Sequence, residues 1–81
     1  MLDGNAIAGM LEDIFGADMT TAACTCAGCG RRGSVAETAV YLYAPGVVVR
    51  CRQCDAVLAV VVERRTVYCV DLNGMSALGS A

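Results

Sequence analysis

Apolar residues at Ile7, Met10, Leu11, Ile14 and Phe15 recur at spacings of three, four, seven and eight, tracing one face of a helix in the first segment, Leu2 to Phe15. Asp3 suits the N-cap, where its carboxylate meets free backbone amides, and Gly16 suits the residue after the last turn, where φ turns positive. The helical segment is therefore bounded at residues 1–17. Glu12 and Asp13 face away from the stripe. Such a stripe ordinarily packs on a sheet; its alternative use is a dimerisation or partner-docking face.

Beyond residue 20 the helical period gives way to strand-like runs. Ala39-Val40-Tyr41-Leu42-Tyr43 and Val47-Val48-Val49-Arg50 read as strands joined by Ala44-Pro45-Gly46, a turn in which proline fixes φ and glycine permits a positive one. The β-branched run Val57 to Val62, the charged turn Glu63-Arg64-Arg65 and the segment Thr66 to Leu72 form a second hairpin. Asn73-Gly74 is a further turn, after which Met75 to Leu78 is either a short final strand or a loose tail.

Composition first raises a membrane question, because 57% of the 81 residues are hydrophobic and the mean hydropathy is +0.57. The longest unbroken apolar run, Ala56 to Val62, is far too short to span a bilayer, and acidic Asp3 stands where a secretory signal carries positive charge. A cytoplasmic protein without a membrane partner is expected. A chain of this length makes one domain with a small core, so it gains much from a staple.

Two cysteine pairs supply the staple. Cys26-Ala27-Gly28-Cys29-Gly30 and Cys51-Arg52-Gln53-Cys54 each place two residues between their sulfurs, and 21 residues separate the pairs. That spacing lets a tight turn aim two thiolates at one point, and two facing turns complete a tetrahedral all-sulfur site for zinc at Cys26, Cys29, Cys51 and Cys54. Such sites contribute about 10 to 16 kcal/mol in zinc-finger peptides, as much as the whole stability of an ordinary domain. Glycine after the second cysteine of the first pair frees the backbone to present amides to sulfur. Asp55 holds the equivalent place in the second, where a left-handed conformation is harder to reach. Six cysteines also allow 15 disulfide pairings, an alternative that a reducing compartment disfavours. Cys24 reads as a spare, either a small buried side chain or a ligand-exchange thiol, and Cys69 reads as core within a strand.

Charge sharpens this picture. Residues 1–20 carry Asp3, Glu12, Asp13 and Asp18 without a base, whereas Arg31, Arg32, Arg50 and Arg52 sit at the cysteine knuckles. Four thiolates around one divalent cation leave a local charge of −2, so flanking guanidiniums are expected to favour the metal-binding state. A net charge of −2 and a pI near 4.7 make a weak footprint for nucleic acid.

The expected fold is a small metal-bound α+β domain over residues 1–81: an amphipathic N-terminal helix, then a zinc ribbon at 20–78 with two antiparallel hairpins and two Cys-x-x-Cys knuckles. Leu2-Asp3-Gly4-Asn5-Ala6-Ile7-Ala8-Gly9, Phe15-Gly16-Ala17-Asp18-Met19-Thr20 and both knuckles resemble a small actinobacterial family known only as a domain of unknown function. The resemblance covers nearly the whole chain. It implies a cytoplasmic metal-binding ribbon with no assigned activity, and it points toward redox enzymes as partners.

With no histidine the chain lacks the usual open-site zinc ligand and the usual general base, and it carries neither a nucleophile elbow nor a phosphate loop. A structural site, not an enzyme, is the reading that follows. Three roles fit it. The first is an interaction or adaptor module that docks another protein, with a homodimer through the helix face as a variant. The second is a rubredoxin-like iron site that carries single electrons or serves a redox enzyme, although the chain lacks the proline and glycine of the second rubredoxin knuckle. The third is association with nucleic acid, ribosome or RNA polymerase through Arg31, Arg32, Arg50, Arg52, Arg64 and Arg65. Tyr41, Tyr43 and Tyr68 read as sheet packing, since four aromatics in all make a poor base-stacking platform.

Overall fold

The computed structural model describes residues 2–43 and 45–79. Their strands are β1 (Leu2–Asp3), β2 (Ala23–Cys26), β3 (Arg32–Ser34), β4 (Ala39–Tyr43), β5 (Gly46–Arg50), β6 (Val57–Arg64), β7 (Val67–Asp71) and β8 (Met75–Gly79). A 3₁₀ turn at Gly4–Ile7 leads into the one α-helix among the described residues, α1 (Ala8–Phe15), and a second 3₁₀ turn spans Val35–Glu37. β1, β4, β5, β6 and β7 form a five-stranded antiparallel sheet in that order, and β3, β2 and β8 a three-stranded one.

Both caps act where the sequence places them. The Asp3 carboxylate accepts from the Asn5 amide at 3.0 Å, and Gly16 takes φ 75° while its amide donates to the Glu12 carbonyl at 2.7 Å. The helix is shorter than residues 1–17, however. Leu2 and Asp3 pair with Val40 and Ala39 as a strand, so the cap serves a 3₁₀ turn that enters α1. Ile7 and Leu11 are buried, Met10 and Ile14 half-buried, and Phe15 is exposed. The stripe thus turns its first two turns into the core and leaves its last residue at the surface.

The core lies between the two sheets and α1, where Ile7, Leu11 and Val35 meet Val40, Val47, Val49, Leu58 and Ala59. A residual gap among them, lined by α1 and both sheets, is wholly apolar and about 20 Å³ in volume, room for about one water. Two glycines allow the layers to close. A Cβ on Gly4 would collide with the Val35 carbonyl, and one on Gly74 with the Val57 carbonyl. The Asn73-Gly74 turn leads into a strand, β8, and its partner is β2 rather than the strand before it.

Strand pairing is more extensive than two hairpins. Ala39–Tyr43 lies against Gly46–Arg50 and Val57–Arg64 against Val67–Asp71, but β5 also pairs with β6 and β2 with both β3 and β8. Ala44, in the expected Ala44-Pro45-Gly46 turn, and residues 80–81 lie outside the described residues. The expected charged turn Glu63-Arg64-Arg65 is displaced: β6 runs on to Arg64, and the turn is Arg65-Thr66 with Arg65 at φ 55°. Cys69 corrects another expectation, being exposed on β7 and not in the core. Its strand lies at the sheet edge, where no described strand pairs with its outer side. No helix among the described residues is long and apolar enough to cross a membrane.

Candidate metal centre

Each Cys-x-x-Cys segment is the turn of a hairpin, the first between β2 and β3 and the second between β5 and β6. The two turns repeat the same bonds. The Cys26 amide donates to the Arg31 carbonyl and the Gly30 amide to the Cys26 carbonyl; the Cys51 amide donates to Ala56 and the Asp55 amide to Cys51, all four at 2.9 Å. Gly30 has φ 78° and Asp55 φ 63°, so both residues after the second cysteine are left-handed. Aspartate thus adopts the left-handed conformation that glycine takes freely, although it is the harder one for it to reach.

The turns face each other and bring Cys26, Cys29, Cys51 and Cys54 into one cluster, with all four Sγ atoms within 4.8 Å of one another. Across the turns, Cys26 Sγ lies 3.6 Å from Cys54 Sγ and Cys29 Sγ 3.7 Å from Cys51 Sγ. Four sulfurs bound at about 2.3 Å to a tetrahedral ion lie about 3.8 Å apart, so the observed edges match a metal tetrahedron. They are far longer than the roughly 2.05 Å of a disulfide, and all six cysteines are free. The donor set therefore fits a thiophilic divalent ion. Cys26 and Cys51 are buried, while Cys29 and Cys54 reach the surface.

Backbone amides set the electrostatics. The Cys29 amide, with help from that of Gly28, holds the Cys26 thiol at about 7, against some desolvation. Desolvation opposes ionisation of Cys51, but the amides of Cys54 and Gln53 hold it below the usual thiol value; the Gln53 amide lies 3.4 Å from its sulfur. The Ala56 amide favours ionised Cys54, yet desolvation and the three neighbouring sulfurs push it up to about 12. Four ligand sulfurs so close resist carrying four charges until a cation joins them. Amides, not the guanidiniums expected from the sequence, lower Cys26 and Cys51.

The arginines instead brace the turns. Arg31 pairs with Glu37 at 3.5 Å, Arg50 donates to the Asp55 carbonyl at 2.9 Å, and Arg52 Nε donates to the Glu37 carbonyl at 2.6 Å. Glu37 therefore touches an arginine from each knuckle. Sequence reasoning passed it over, although Ser34-Val35-Ala36-Glu37 carries the Ser-x-x-Glu signature of a helix start. Its carboxylate accepts from the Ser34 amide at 2.9 Å and from the Ser34 hydroxyl at 3.0 Å. The Ala27 amide also donates to Gly74 at 2.9 Å, fastening the first turn to the Asn73-Gly74 bend.

Cys24 stays outside the four-sulfur cluster. It is buried in β2, and desolvation followed by the nearby Cys51 pushes its thiol up. No curated protein and no solved structure matches the chain. A family model does, over residues 1–81, and its family has no assigned role. That match spans the full sequence, and the chain therefore belongs to the family of unknown function DUF6510.

Proposed function

We propose that this protein is a structural four-cysteine zinc ribbon that serves as a small interaction or adaptor module, and that it is not an enzyme. The observation that carries the reading is the convergence of four Sγ atoms from two matching turns. Four protein ligands fill a tetrahedral zinc, which leaves no position for substrate or activated water. The absence of histidine from the chain supports the same conclusion. The metal then joins β2–β3 to β5–β6, and its loss costs the fold its main crosslink. Free, clustered thiols suit a reducing compartment, which we take to be the cytoplasm. The docking partner is another protein, met through the surface that this crosslink holds rigid.

Replacing Cys51 with serine tests the proposal. Metal content and cooperative unfolding should disappear together, and a variant that unfolds as cooperatively as the parent without metal contradicts it. An iron site for electron transfer is favoured by the same sulfur geometry, since iron and zinc both accept four thiolates. Visible absorbance of protein from its native host separates the two, because an iron tetrathiolate is coloured and zinc is not. Nucleic-acid binding draws less support, because Arg31, Arg50 and Arg52 already hold protein acceptors. Retention on RNA or DNA that falls steeply with salt would revive it.

A further inference from the structure

β7 ends the five-stranded sheet, and no described strand covers its outer side. Val67-Tyr68-Cys69-Val70-Asp71 has no proline, no lysine and no bulge against β6, and its one charge is Asp71 at the end of the strand. Val67 is 59% exposed and Val70 37%. At the other edge, β1 covers Ala39 and Val40, so β7 is the longer bare strand.

The register determines which main-chain groups are free. Arg64 and Val67 flank a two-residue turn, and residues in that position bond each other. Antiparallel pairs alternate, so Val62–Cys69 and Val60–Asp71 are also bonded pairs, while Tyr68 and Val70 turn their amides and carbonyls away from β6. Val67, Cys69 and Asp71 project from the same face of the sheet as their partners Arg64, Val62 and Val60.

We infer that β7 pairs with β7 of a second copy, antiparallel and centred on Cys69. Tyr68 then exchanges two hydrogen bonds with Val70 of the other copy, and the two-fold axis repeats the exchange. Cys69 faces its own counterpart in a non-bonded pair, where Cα atoms lie about 4.5 Å apart. Val67 faces Asp71 of the second copy. Arg64, one strand further in, lies about 10 Å from that aspartate on the same face, a gap that an extended guanidinium and a carboxylate close. Arg64 and Asp71 make no ion pair with each other or with another side chain among the described residues. Self-pairing in this register sets each of them against the opposite charge, twice per dimer. The result is one sheet of ten strands, with Val48, Val60 and Val62 of both copies on one continuous face.

Sedimentation equilibrium of the purified full chain tests this. A mass twice the 8.4 kDa of one chain is expected at sub-millimolar concentration. Cys69→Lys sets two ammonium groups against each other on an exposed position and should give a monomer with an unchanged circular dichroism spectrum. Arg64→Asp or Asp71→Arg alone should weaken the dimer about tenfold, and the two together should restore it. The charge-exchanged variant keeps the test decisive should Cys69→Lys fail to fold. A parent chain that stays monomeric, a dimer indifferent to Cys69→Lys, or a double exchange that fails to recover association overturns the inference. None of these readouts depends on which metal the cysteines hold.

Discussion

Gly30 and Asp55 occupy equivalent places in the two knuckles, each left-handed and each donating its amide to the carbonyl of the first cysteine at 2.9 Å. One residue reaches that conformation at no steric cost and the other against a penalty. Gly30→Ala, which has open space for its Cβ, should therefore cost about 1–2 kcal/mol from backbone strain alone. Asp55→Gly should be neutral or stabilise by up to about 1 kcal/mol, the small loss of the exposed 3.9 Å contact with Arg50 included. Denaturant unfolding of the two variants beside the parent checks both signs.

Close approach at Gly74 makes a sharper demand than φ does. A methyl group there would strike the Val57 carbonyl and Leu58 Cα, both backbone atoms without freedom to move aside. Gly74→Ala should lower stability by about 3 kcal/mol or more and release β8 from β2, since the bend also accepts the Ala27 amide. Gly9, within α1, meets nothing within 4 Å, so Gly9→Ala should instead stabilise by about 0.5–1 kcal/mol. Thermal unfolding of the pair would show opposite shifts.

Glu37 links pH to the fold. The Ser34 amide, then its hydroxyl, then the charge of Arg31, hold this carboxyl below its usual value. A depressed folded-state value means that the unfolded chain binds the proton more readily. The stabilisation is therefore complete above the ordinary glutamate range and is lost as pH falls through the depressed folded value. Glu37→Gln should remove that part of the acid dependence, and an NMR titration of the Glu37 carboxyl should give a midpoint below that of a free glutamate.

How much of this was legible in the sequence depends on the range of the forces involved. Asp3, Gly16 and the Cys-x-x-Cys turns act within a few residues, and their chemistry shows in the local string. The pairing of Leu2 with Val40 and of Cys24 with Leu78 leaves no such mark, because edge pairing joins segments far apart in the chain. The run Val57 to Val62 hid its own orientation. Leu58, Ala59 and Val61 are buried and Val60 and Val62 only half-buried, so both faces are apolar and no alternation betrays which one is inside. Cys69 was misplaced for the same reason, since a strand with apolar residues on both sides gives no sign that it lies at an edge. The four-sulfur cluster itself was the most visible feature, because ligand spacing is a local constraint that metal geometry imposes on sequence.

Metal content and thiol reactivity, measured together on the folded protein, bear most directly on the centre. The account predicts one divalent ion per chain, with the sulfurs of Cys26, Cys29, Cys51 and Cys54 unreactive toward a thiol reagent until a chelator removes it. A folded chain that holds no metal, with those four thiols open to the reagent, would contradict it.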